Sequence, residues 1–138
     1  MNKRTISVGV IAYDGDKVLL VKHTKSARLP TGSYGFPAGR VEDGENPIDA
    51  AVREFHEETG YTTSRDFLYP LAKKESTLQM ENGTEDFVFT PFVCSKYTGE
   101  KKDCEDNIPE WVKLSHLDDL LLVSDDVKTL ARQYKDFI

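Results

Sequence analysis

The sequence predicts a mixed α/β (α+β) fold, with a β-sheet packed between helices. Three observations point there. Runs rich in Ile and Val at Thr5–Tyr13 and Lys17–His23 flank Asp14-Gly15-Asp16, the pattern of two strands joined by a tight turn. A helical signature between Asn46 and Gly60 follows the third extended segment. A second amphipathic segment closes the chain after Ser124. The 138 residues contain no repeat, low-complexity stretch or linker, so they read as a single domain over 1–138.

Thr5–Tyr13 has the composition of a buried strand, and Val18–Val21 is a near-continuous apolar run in its hairpin partner. Lys22, Lys25 and Arg28 gather at the end of that strand and in the loop after it. Pro30 and Gly32 mark this loop, and Tyr34–Pro37 is a short extended segment in which Phe36 suits the core. Asn46 is a good N-cap, Pro47 fits the first turn, and Asp49 complements the helix dipole. Gly60 is the expected left-handed terminator, so the helix covers Pro47–Thr59. Ile48, Ala51, Val52 and Phe55 form its apolar stripe.

Beyond the helix, Phe67–Leu71 and Glu75–Met80 read as strands, and Asn82-Gly83 as the hairpin turn into Phe87–Cys94. Pro91 predicts a bulge or an edge position there. Lys96–Asn107 is a charged loop, Glu110–Leu114 a last strand around Trp111, and Ser115–Leu122 a short helix. Ser124 is the expected cap of the final helix, whose stripe is Val127, Leu130, Ala131, Tyr134 and Phe137.

Charge is unevenly spread. Residues 1–40 carry a net +5, residues 41–60 a net −6, and residues 61–138 a net −5. An acidic chain of this kind is a poor non-specific binder of nucleic acid, and no stable nucleic-acid complex is expected. No apolar run approaches the ~18 residues of a membrane span. The stretch after Lys3 and Arg4 ends in a turn, not a cleavage site, so no secretion signal is expected. Cys94 and Cys104 are too few for a disulfide framework and read as reduced thiols of a cytoplasmic protein.

The stretch Gly39–Tyr61, GRVEDGENPIDAAVREFHEETGY, concentrates the chemistry. Glu54, Glu57 and Glu58 fall at i, i+3 and i+4 on one helix face. Like charges at those spacings cost ~0.2–0.5 kcal/mol per pair in an isolated helix. A divalent cation reverses that sign, because hard cations take oxygen ligands.

Gly39, Glu45, Arg53, Glu54, Glu57, Glu58 and Gly60 stand at the spacing G-x5-E-x7-R-E-φ-x-E-E-x-G-φ. In this the chain resembles the Nudix hydrolases, the MutT-like family. Tyr61 and Ala38 stand where the family more often has an aliphatic residue and a glycine.

The resemblance implies an α/β/α sandwich around a mixed sheet. It also implies hydrolysis of a nucleoside diphosphate linked to another group, with Mg²⁺ or Mn²⁺ as cofactor. Carried over by position, Glu57 and Glu58 are metal ligands, Glu54 is ligand or base, and the Ala38 carbonyl faces the metal. Arg53 pairs with Glu45 and keeps the loop–helix–loop rigid. Family members often draw one more carboxylate from a later loop. Glu105, six residues before Trp111, is the candidate ligand and base, with Glu85 and Asp86 behind it. Lys22, Arg28 and Arg40 are the candidate phosphate contacts. The partner is a small-molecule nucleotide, and a homodimer is compatible with the sequence. The family's substrate markers downstream of the box are not matched by Ser76, Thr77, Gln79 and Met80. Nucleoside triphosphates, oxidised ones included, are the default by elimination. ADP-ribose hydrolysis, or a module that senses ADP-ribose without cleaving it, is the alternative.

Overall fold

The computed structural model describes residues 4–24 and 28–137. Lys3 and Lys25 lie outside the described residues. The elements in chain order are β1 (Thr5–Ile11), β2 (Tyr13–Asp14), β3 (Lys17–His23), β4 (Tyr34–Gly35), β5 (Ala38–Arg40), α1 (Pro47–Thr59) and β6 (Tyr61–Thr62). They continue with β7 (Leu68–Pro70), β8 (Lys74–Met80), β9 (Gly83–Cys94), β10 (Thr98–Gly99), β11 (Asn107–Lys113) and α2 (Asp125–Gln133).

A five-stranded mixed sheet runs β5-β1-β9-β7, with β8 also on β9. Its β1–β9 pair is parallel and its other pairs are antiparallel. A second, antiparallel sheet runs β11-β3-β2, with β4 also on β3. Alternation along the strands sorts side chains to two faces. Val8, Val10, Ala12 and Leu19 pack with Ala50, Ala51 and Phe55 of α1. Ile11, Val18 and Leu20 pack with Val127, Leu130 and Ala131 of α2. The helices therefore cover opposite faces, and each buries its apolar stripe as the 3.6-residue period requires.

The ends of α1 follow from local chemistry. Asn46 accepts from the Ile48 N–H at 3.1 Å, and Pro47 needs no partner for the donor it lacks. Gly60 has φ +85°, and a β-carbon there would collide with the Glu100 carbonyl. Tyr61, the departure from the family's aliphatic preference, lies in an aromatic group with Phe55, Tyr97 and Trp111. Its hydroxyl accepts from the Trp111 indole N–H at 3.1 Å.

Several expectations need correction. Pro91 is neither at an edge nor in a bulge of its own strand. It pairs with Gly9 inside an unbroken parallel register in the middle of the sheet. Its carbonyl accepts from Leu71, so its ring nitrogen faces the same flank, where β7 has ended and β8 has not begun. The second hairpin pairs Met80 with Gly83, so its turn is Glu81-Asn82, one residue before Asn-Gly. No described residue other than glycine has positive φ, so this is not the left-handed turn that Asn-Gly favours. Ser124 makes no side-chain capping bond, and α2 stops at Gln133, short of Tyr134 and Phe137. Finally, Leu114–Asp119 is a 3₁₀ helix, and the charged loop gives Thr98–Gly99 to a pairing with β6.

Candidate active site

The apolar face of α1 is pinned to the core by Phe55 and Ala51, both fully buried. This sets the helix rotation, and with it where the acids point. Arg53 sits among them as a tether. Its Nε and Nη2 donate to the two oxygens of Glu45, each at 2.9 Å, in a bidentate fork. Its Nη1 donates to Glu54 at 2.6 Å and Glu57 at 3.3 Å, and Nη2 also reaches the Arg40 carbonyl at 3.0 Å. Glu45 further accepts from the Glu42 N–H at 3.0 Å. These bonds hold the Glu45 carboxyl down to about 2, with the Arg53 fork as the main cause.

Gly39 of β5 lies directly under Glu54. A β-carbon on Gly39 would occupy the space of the Glu54 carboxylate. Burial raises the Glu54 carboxyl above the ordinary carboxylate range, against the lowering effect of Arg53. Glu58 is enclosed further. One oxygen accepts from the Ala38 N–H at 2.6 Å and the other from the Asn107 amide at 2.9 Å. Among the described residues it has no Lys or Arg partner. Burial, reinforced by Glu54, Glu57 and Asp106, pushes its carboxyl up to about 8 despite the Ala38 bond. Ala38 is extended and its N–H points away from β1, so its carbonyl projects to the same side, toward α1.

Glu54 and Glu58 lie on the wall of a cavity of about 360 Å³, with Ala38, Gly39, Asp106 and Asn107 beside them. Phe36, Phe87, Phe89, Leu78 and Met80 supply an apolar side. Arg28 and Arg40 are at its margin, and both are bound by Glu85. Arg28 reaches it at 2.7 Å and Arg40 at 2.9 Å, while Thr5 donates to it at 2.8 Å. Asp86 accepts from Thr77.

Not every candidate comes to this wall. Glu57 is more than half exposed and does not line the cavity. Lys22 lies over the Tyr34 ring, 5.9 Å from its centroid, away from the cavity. Glu105 is exposed in the loop before β11 and is not on the wall, whereas its neighbour Asp106 is. Sequence reasoning missed His23, Asp106 and Asn107. Strand alternation was the available signal for the first, since His23 must face opposite to Lys22. Nothing local announces Asn107, whose partner Glu58 lies 49 residues away.

The donors are oxygen atoms, and one is an enclosed carboxylate without a cationic partner among the described residues. This fits a hard divalent cation. No three described His, Cys, Asp or Glu residues form a ready metal cage by themselves. Mg²⁺ does not require one, because it is usually bound by one or two carboxylates together with substrate phosphates.

Comparison with known proteins agrees with the geometry. The family model described as NUDIX domain matches residues 3–137. The 8-oxo-dGTP diphosphatase of Escherichia coli is 27% identical over 83% of this chain and 83% of its own length. The ADP-ribose pyrophosphatase of Bacillus subtilis is 40% identical over 43% of this chain but only 32% of its own. Two other curated relatives are spanned over just 31% and 20% of their length. In fold, the chain is similar to the crystal structure of a MutT Nudix hydrolase from Burkholderia pseudomallei. The TM-score is 0.77, at 21% identity, over 96% of this chain and 98% of that one. The described residues include no helix long and apolar enough to cross a membrane. The chain therefore belongs to the NUDIX domain family and is a MutT-like Nudix hydrolase.

Proposed function

We propose that this Nudix pyrophosphohydrolase splits the pyrophosphate link of a nucleoside diphosphate joined to another group, using Mg²⁺ or Mn²⁺. The observation that carries the reading is Glu58, an enclosed carboxylate on a cavity wall, next to Glu54 and without a cationic partner among the described residues. Glu58 and Glu54 would hold the cation with the Ala38 carbonyl, and Glu57 would join from the next turn. Bound there, the cation supplies polarisation of phosphate oxygens and activation of water.

The protein's own residues do the rest. Arg53 fixes Glu54 through Nη1 and the preceding loop through Glu45. Glu54, held at the wall with its carboxyl raised, is the acceptor placed to take a proton from water. Glu105 falls behind it in that role, because it is off the wall. Arg28 and Arg40 at the margin receive phosphate oxygens, and the apolar side accommodates the nucleoside. Lys22 has no such part.

For substrate, we favour a nucleoside triphosphate, an oxidised one included. Support comes from the E. coli relative, which aligns over most of both chains and is named for such a substrate. ADP-ribose is the second reading, supported by the shorter match to the B. subtilis enzyme. A sensing module is disfavoured, since every carboxylate of the box is present. The test is turnover of nucleoside triphosphates, oxidised triphosphates and ADP-ribose with Mg²⁺ and with chelator, with product analysis. Magnesium-dependent release from one substrate class is expected. Tight binding of ADP-ribose with no turnover of anything overturns the enzyme reading.

A further inference from the structure

His23 is 6% exposed, lines the cavity, and among the described residues has a hydrogen-bond partner on one ring nitrogen only. Its Nδ1 lies 2.9 Å from Oδ1 of Asn107, whose amide nitrogen lies 2.9 Å from the second oxygen of Glu58. The hydrogen-bond inventory of this chain allows one reading. The amide nitrogen of Asn107 is the end that lies on Glu58, and an amide nitrogen only donates. The Asn107 carbonyl is then the end turned to His23, and a carbonyl also only accepts. The proton of the neutral imidazole must sit on Nδ1, which leaves Nε2 as a lone-pair acceptor. Among the described residues that atom has no partner, and it lies beside Gly35, where even a β-carbon would come within 3.6 Å of it. Gly35 also lines the cavity, so the ring's acceptor edge faces the ligand space.

We infer that His23 is a specificity-determining residue, whose Nε2 accepts a hydrogen bond from an exocyclic amino group of the substrate's base. The inference rests on the reading of this cavity as the nucleotide site. The wall around His23 points the same way. Asp126 lines the same cavity, and among the described residues it has no cationic partner. An amino group brings two hydrogens, one for each of two such acceptors. A ring carbonyl placed there meets two lone pairs and is rejected, since a buried acceptor left unpaired costs free energy. Asn107 is the positioning residue, because its amide, anchored on Glu58 by the nitrogen, turns its carbonyl to His23 and so sets the tautomer.

The test is nitrogen NMR of histidine-labelled protein with Mg²⁺, with His23 assigned by its absence in His23→Gln. In the free protein, His23 should show a protonated Nδ1 and an unprotonated Nε2. Nucleoside monophosphates are then added in pairs: AMP against purine-riboside monophosphate, GMP against IMP, and CMP against UMP. At least one amino-bearing member should move the Nε2 resonance while its counterpart does not. His23→Leu should lower the preference for that base by about tenfold in kcat/KM, with His23→Gln, which keeps an oxygen near Nε2, recovering part. A proton found on Nε2, or no amino-dependent shift in any pair, overturns the inference. Wild-type turnover is assayed separately. Turnover without the shift removes His23 alone, and the shift without turnover removes the hydrolase reading alone.

Discussion

Glu45 and Glu58 bracket the same loop and helix, and their surroundings treat them in opposite ways. Glu45 meets the full fork of Arg53 and a backbone N–H, and its carboxyl is held down to about 2. Glu58 is enclosed with three other acids nearby and no cationic partner among the described residues, and its carboxyl is pushed up to about 8. The first is satisfied within the protein and serves as scaffold. The second is left in deficit, and under the proposed function an incoming cation removes it. Acidic residues of one motif therefore divide into structural and chemical by their counter-ions, not by spacing.

Changing Glu58 should have the largest effect. Glu58→Gln is expected to lower kcat by orders of magnitude with Mg²⁺ while the far-ultraviolet spectrum stays native. Near-normal turnover would remove Glu58 from the site. The same variant probes the deficit directly. A carboxyl whose folded pKa exceeds its unfolded value binds its proton more tightly when folded. Its stabilising effect is full below about pH 4.5 and is lost as pH rises to about 8. The Tm of chelator-treated wild type should fall across that window, and Glu58→Gln should flatten the fall. Saturating Mg²⁺ should raise wild-type Tm most at the alkaline end.

Breaking the satisfied half comes next. Arg53→Lys keeps the charge but loses the fork, so Glu45, Glu54 and the Arg40 carbonyl lose their common tether. Activity and Mg²⁺ affinity should drop ~10- to 100-fold, as for other residues that orient metal ligands. An unchanged Mg²⁺ titration would show that the tether is dispensable. Gly39→Ala should cost activity through displacement of Glu54, and its crystal structure should show that carboxylate moved. The smallest effect belongs to Glu105→Gln, with a loss below tenfold in kcat. A general base is typically worth ~10²–10⁴, so a loss in that range would return the role to Glu105.

How much of this could be read from the chain depends on how far apart the cooperating residues lie. The bounds of α1 were legible because Asn46, Pro47 and Gly60 act within one turn of the helix ends. The box acids were legible because helical periodicity sets their common face. Pro91 was misread because its tolerance depends on a gap between two other strands, which no local rule encodes. The Asn82-Gly83 turn moved by one residue because pairing along β8 and β9 outvoted the local signal. The link from His23 through Asn107 to Glu58 joins β3, β11 and α1, and only the assembled sheet brings them together.

The bridge from Arg28 through Glu85 to Arg40 has a consequence for ligand entry. Each guanidinium spends only its Nη2 on the shared Glu85 carboxylate, so its remaining N–H groups are available to the phosphates proposed above. One carboxylate thus keeps two cations side by side at the cavity margin before any ligand is present.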